Sequence, residues 1–97
     1  MTQITTARNA VTITNRKGLH ARASAKLSRL AAEYDAVLIV HHEGQSANAN
    51  SIMDLLMLVA HTGCEVELVA EGPQANQVVE AATALITEGF GETGDTC

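Results

Sequence analysis

Aromatic residues are almost missing: Tyr34 and Phe90 are the only ones in 97 residues. A chain without stacking platforms is a poor reader of single-stranded nucleic acid. Its core has to be built from aliphatic side chains and alanine. Cysteine is scarce as well. Cys64 and Cys97 show no metal-ligand spacing and make no disulfide framework. No run approaches the roughly 18 apolar residues of a spanning helix, and the start does not read as a signal peptide. No membrane insertion is expected, and the cytoplasm is the expected compartment. A glycine-rich nucleotide loop and a catalytic dyad are both missing, which argues against an independent enzyme. No cofactor and no metal are expected.

What is present is a globular composition, with 46% hydrophobic and 18% charged residues. The length suits one domain over 1–97, with a core of about 8–90 and loose termini at 1–6 and 91–97. The net charge of −5 conceals an asymmetry. Every basic residue (Arg8, Arg16, Lys17, Arg22, Lys26, Arg29) lies at or before position 29, and every acid lies at or after Glu33. A local positive field on an acidic protein steers acidic or phosphorylated partners, and the overall sign argues against nucleic acid.

Residues 8–14 are rich in β-branched side chains and read as a first strand. Ala23, Leu27, Leu30, Ala31 and Tyr34 then follow helical spacing, predicting a helix over about 21–34. A second strand is expected at 36–42, a turn at Glu43-Gly44 and a short third strand over 45–49. Ser51 with Asp54 three residues later matches a helix start, opening an unusually apolar helix over about 52–60. Cys64 to Ala70 alternates cleanly, with Cys64, Val66, Leu68 and Ala70 facing in. A last helix of about 75–88 carries Val78, Ala82 and Leu85 on one stripe, with Gly89 as its stop. The adjacent His41 and His42 are expected at the surface, and Cys64 in the core. The order β-α-β-β-α-β-α suggests an α+β open-faced two-layer sandwich, with helices on one face of an antiparallel sheet.

The stretch Gly18-Leu19-His20-Ala21-Arg22 carries the chemistry. It places an imidazole at the mouth of the first helix and a guanidinium two residues on. A helix start offers unpaired amides and partial positive charge, which suit phosphate. An imidazole is largely neutral near pH 7, and its ring nitrogen can take up a phosphoryl group covalently. The backbone amides of Ala21 and Arg22 and the Arg22 fork could hold the phosphoryl oxygens without a metal. On spacing alone, an exposed histidine cap without chemical importance accounts for His20 equally well.

These residues, followed 31 positions after the histidine by Ser51-Ile52-Met53, resemble the HPr family, the histidine-containing phosphocarriers of the bacterial phosphoenolpyruvate-dependent phosphotransferase system. The resemblance covers roughly 8–92 and includes Tyr34-Asp35-Ala36, Glu43-Gly44 and Gly63-Cys64-Glu65-Val66. It implies a four-stranded antiparallel sheet in the order 1-4-2-3 with three helices on one face. It further implies phosphorylation of His20 on Nδ1 by enzyme I, with Arg22 stabilising the phosphoryl group. Ser51 matches a regulatory serine phosphorylated by HPr kinase/phosphorylase. The phosphoryl group would pass to an EIIA-type protein, and the carrier would be a monomer. Ala23 stands where the family commonly has proline, which leaves the helix intact with a less rigid start.

A short apolar helix cannot bury every side, so Ile52, Met53 and Leu56, with Leu19, are expected to form an exposed docking patch rimmed by Lys17, Arg22 and Lys26. Ser51 is both an expected cap and a candidate switch. The competing reading is a purely regulatory module of a nitrogen-type phosphotransferase cascade, acting by partner binding.

Overall fold

A computed structural model describes residues 5–91. Of the loose ends expected at 1–6 and 91–97, residues 1–4 and 92–97 lie outside the described residues. The strands are β1 (Thr6–Thr12), β2 (Val37–His42), β3 (Gln45–Asn48) and β4 (Glu65–Glu71). The helices are α1 (Ala21–Ala32), α2 (Ile52–Met57) and α3 (Ala75–Thr87), and a 3-10 turn follows at Gly89–Gly91. All strand pairs are antiparallel, in the order β1-β4-β2-β3. This is the α+β sandwich implied by the family resemblance.

Side chains alternate across the strands, so one face of the sheet is apolar. Val11, Leu38, Val40, Val66, Leu68 and Ala70 are buried on it, with Ala23, Leu27 and Ala31 of α1 and Val78, Ala82 and Ile86 of α3 in the same core. The β2–β3 turn has positive φ at both Glu43 and Gly44, as a two-residue hairpin turn requires.

Several local expectations are corrected. The sheet begins at Thr6, where Thr6 pairs with Glu71 and the Thr5 carbonyl accepts the Gly72 amide. His42 is buried, because the register that buries Leu38 and Val40 turns it inward too, and its Nδ1 lies 3.4 Å from the Glu65 carbonyl. Cys64 precedes β4 and is half-buried in a turn whose carbonyl receives the Ile13 amide. On α3 the buried stripe is Ala75, Val78, Val79, Ala82 and Ile86, leaving Leu85 only partly covered. Phe90 is fully buried and Gly91 closes the last turn, so the packed chain extends that far. The Lys26 ammonium donates to the Phe90 carbonyl at 2.6 Å and ties this turn to α1.

Candidate functional site

α1 starts from a rigidly held loop. Asn15 is buried and donates its side-chain amide to the Gly18 carbonyl at 2.8 Å, while the Gly18 amide donates to the Asn15 carbonyl. Gly18 has φ +62°, and a Cβ there would collide with the Ala60 carbonyl oxygen, so only glycine fits. The Leu19 amide donates to that same oxygen at 3.0 Å, and the His20 amide to the Gly18 carbonyl at 2.9 Å. The buried Ser24 hydroxyl donates to the Leu19 carbonyl. Nothing in the local sequence pattern marks Asn15 or Ser24, since both are polar residues whose burial depends on the tertiary fold.

His20 is the N-cap of α1. Its backbone is extended, and its Nδ1 accepts the Arg22 amide at 3.3 Å. A histidine that accepts at Nδ1 carries its proton on Nε2. The Nδ1 lone pair therefore points at the positive end of the helix. Arg22 is exposed in the same first turn, which holds no acidic residue. Ala23 is fully buried beneath it. Ala21 and Arg22 supply first-turn amides where they were expected. Anything bonded to Nδ1 displaces the Arg22 amide and comes to lie among these donors.

α2 starts the same way. Ser51 is its N-cap, and its hydroxyl accepts the Asp54 amide at 3.2 Å. The Ser51 amide donates to the Asn48 carbonyl at 2.9 Å, so it has its own partner without the Asp54 carboxylate. The helix ends at Met57, short of the expected 60, since Val59 takes a left-handed backbone with φ +51°.

The apolar patch differs from the expected one. Ile52 and Met53 are exposed by 41% and 68%, as anticipated. Leu56 is only partly exposed. Leu19 is buried, 6% exposed, because its backbone is clamped to Ala60 with the side chain in the core. The missed members are Met57 (70%) and Val59 (62%). Met57 lies four residues after Met53, a helical neighbour that the spacing already offered. Lys17 is exposed, whereas the Lys26 ammonium is committed to the Phe90 carbonyl.

The chain is similar to known proteins over most of its length. The family model for the PTS HPr component phosphorylation site matches residues 7–88. Phosphocarrier protein NPr of Escherichia coli (strain K12) is 43% identical over 88 residues, covering 90% of this chain and 98% of that protein. Phosphocarrier protein HPr of Cupriavidus necator is 43% identical over 81 residues, covering 84% and 91%. The crystal structure of HPr-C-His from Thermoanaerobacter tengcongensis superposes with a TM-score of 0.85 at 32% identity, covering 89% of this chain and 97% of that one.

Proposed function

The chain belongs to the HPr family of phosphotransferase-system phosphocarriers, and from that premise we propose that His20 is its phosphoryl acceptor and donor. The observation that carries this reading is the N-cap geometry, with Nδ1 on the Arg22 amide and the guanidinium in the same turn. The Nδ1 lone pair attacks phosphorus of phospho-enzyme I. A P–N bond forms at His20 as the bond from phosphorus to the donor breaks, and the donor leaves with that electron pair. The Arg22 amide, released from Nδ1, donates to a phosphoryl oxygen, with the Ala21 amide and the Arg22 fork as further donors. Transfer to an EIIA-type protein reverses these steps, with imidazole as the leaving group. Holding by amides and one exposed arginine is loose enough for the group to move on. The protein thus acts as a covalent carrier rather than an independent enzyme, a cytoplasmic monomer needing no metal or cofactor. Among the described residues, no helix is long and apolar enough to cross a membrane.

Enzyme I and the EIIA-type acceptor dock on Ile52, Met53 and the flanking Leu56, with Lys17 and Arg22 at the rim. Ser51 is proposed as a regulatory site for HPr kinase/phosphorylase. A phosphate there adds negative charge beside the docking face and repels an acidic partner. The likeness to an NPr favours the nitrogen-type regulatory cascade as a second reading of the final acceptor.

Incubation with enzyme I and phosphoenolpyruvate is expected to give an acid-labile phosphoprotein, and His20→Ala is expected to abolish it. Labelling that persists in His20→Ala rules the assignment out. Presenting the phosphorylated carrier with sugar-type and nitrogen-type EIIA proteins separates the acceptors.

A further inference from the structure

Burying a polar side chain is costly unless it is bonded. Among the described residues the buried polar side chains are Asn15, Ser24 and His42, and the first two flank His20 in the chain. Asn15 is 3% exposed and Ser24 is 0% exposed. Ser24 lies inside α1, where alanine would be the better helix former. Two buried polar groups on either side of one imidazole call for a common purpose.

The two peptide groups that precede His20 supply that purpose. In the Gly18–Leu19 peptide, the carbonyl accepts the Asn15 side-chain amide at 2.8 Å and the N–H donates to the Ala60 carbonyl at 3.0 Å. In the Leu19–His20 peptide, the carbonyl accepts the Ser24 hydroxyl at 3.2 Å and the N–H donates to the Gly18 carbonyl at 2.9 Å. Each peptide is thus held on both its C=O and its N–H. The first has most need of it, because Gly18, at φ +62°, leaves the backbone free to turn over. Both side-chain donors are buried, so both carbonyls are drawn inward. The Arg22 amide on Nδ1 of His20 lies on the exposed side.

We propose that Asn15 and Ser24 are positioning residues for phosphoryl transfer. By holding the Gly18 and Leu19 carbonyls inward, they keep both oxygens away from the group carried on Nδ1 and leave it facing N–H donors. A carbonyl oxygen is the negative end of the peptide dipole and repels a phosphoryl anion. Donors fixed in advance need no rearrangement as charge develops on the phosphoryl oxygens. Neither side chain acts at phosphorus, and both work through the backbone. The proposal rests on the carrier reading above.

The test uses Asn15→Ala and Ser24→Ala in the full chain, each of which removes the donor and adds no bulk. Phosphorylation by enzyme I is followed over a range of carrier concentrations. For Asn15→Ala kcat is expected to fall about tenfold, and for Ser24→Ala about threefold, with KM held within about twofold because Ile52 and Met53 are untouched. A merely structural role lowers Tm and leaves the kcat of the folded protein as it was. A lower Tm with unchanged kcat therefore overturns the proposal, and so does a loss that appears only in KM. Hydrogen exchange reads the same grip without any transfer. The Leu19 and His20 amides are expected to exchange about tenfold faster in Asn15→Ala, relative to the β4 amides of Val66 and Leu68. An equal ratio in parent and variant overturns the proposal. Should Asn15→Ala fail to fold, Ser24→Ala carries both measurements, since alanine sustains the helix. A parent chain that enzyme I leaves unlabelled sinks the carrier reading and this proposal with it. A labelled parent whose variants match it in kcat overturns the positioning role alone.

Discussion

The starts of α1 and α2 are built alike and charged differently. Each is capped by a side chain that can take a phosphoryl group, and each cap accepts a first-turn amide, at 3.3 Å for His20 and 3.2 Å for Ser51. Their first turns then diverge. That of α1 has no acid and carries Arg22, whereas that of α2 carries Asp54. α1 runs for 12 residues and is anchored just before its start, by the Ala60 clamp on Leu19, and at its middle, by Lys26 on Phe90. α2 is six residues long and ends in a strained turn. A helix start alone is a generic anion site. The neighbouring charge decides whether a phosphate there is held in transit or felt as a perturbation.

The largest effect comes from removing that charge at α1. Arg22→Ala is expected to slow phosphorylation of His20 on the order of 100-fold, comparable to the loss of one preorganised donor to a developing anion. Arg22→Lys keeps the charge but loses the planar fork, and falls between the two. Single-turnover labelling with enzyme I measures both. Equal rates for all three proteins would mean that the backbone amides alone do the holding, and the contrast with α2 would then lose its basis.

The pattern of what was readable follows the same division. The capping roles of His20 and Ser51, the Glu43-Gly44 hairpin turn and the inward alternation of Val66, Leu68 and Ala70 are written in contiguous residues, so the local sequence reveals them. The features it hid depend on residues far apart. Leu19 is buried because Ala60 holds its backbone, and Lys26 leaves the docking rim because Phe90, 64 positions away, accepts its ammonium. His42 is the exception, because simple alternation with Leu38 and Val40 along β2 already places it on the inward face. Val59 conflicts with the ordinary preference of its residue type, so no propensity argument could have placed it at positive φ.

A smaller effect tests the shared half of the comparison. Ser51→Ala removes the hydroxyl that accepts the Asp54 amide and is expected to cost about 1 kcal/mol of stability. Urea denaturation should show a lower midpoint with an unchanged slope. No loss at all would mean that the Ser51 cap contributes nothing, and that the likeness of the two helix starts is only geometric.

The smallest effect isolates what separates them. Ser51→Asp mimics an added negative charge while keeping a good N-cap, since aspartate caps about as well as serine. Asp54 lies three residues on, so the two carboxylates are helical neighbours and repel. Combining Ser51→Asp with Asp54→Asn gives a cycle in which the cap is constant and only the repulsion is removed. Ser51→Asp is expected to be less favourable beside Asp54 than beside asparagine, by about 0.3–0.5 kcal/mol at low salt. Both sites are at the surface, so about 1 M salt should erase most of the difference. A coupling of zero at low salt would show that the first-turn acid does not penalise an anion at Ser51. The different consequences of phosphate at the two sites would then have to come from partner contact on the α2 face rather than from the charge written into each helix start.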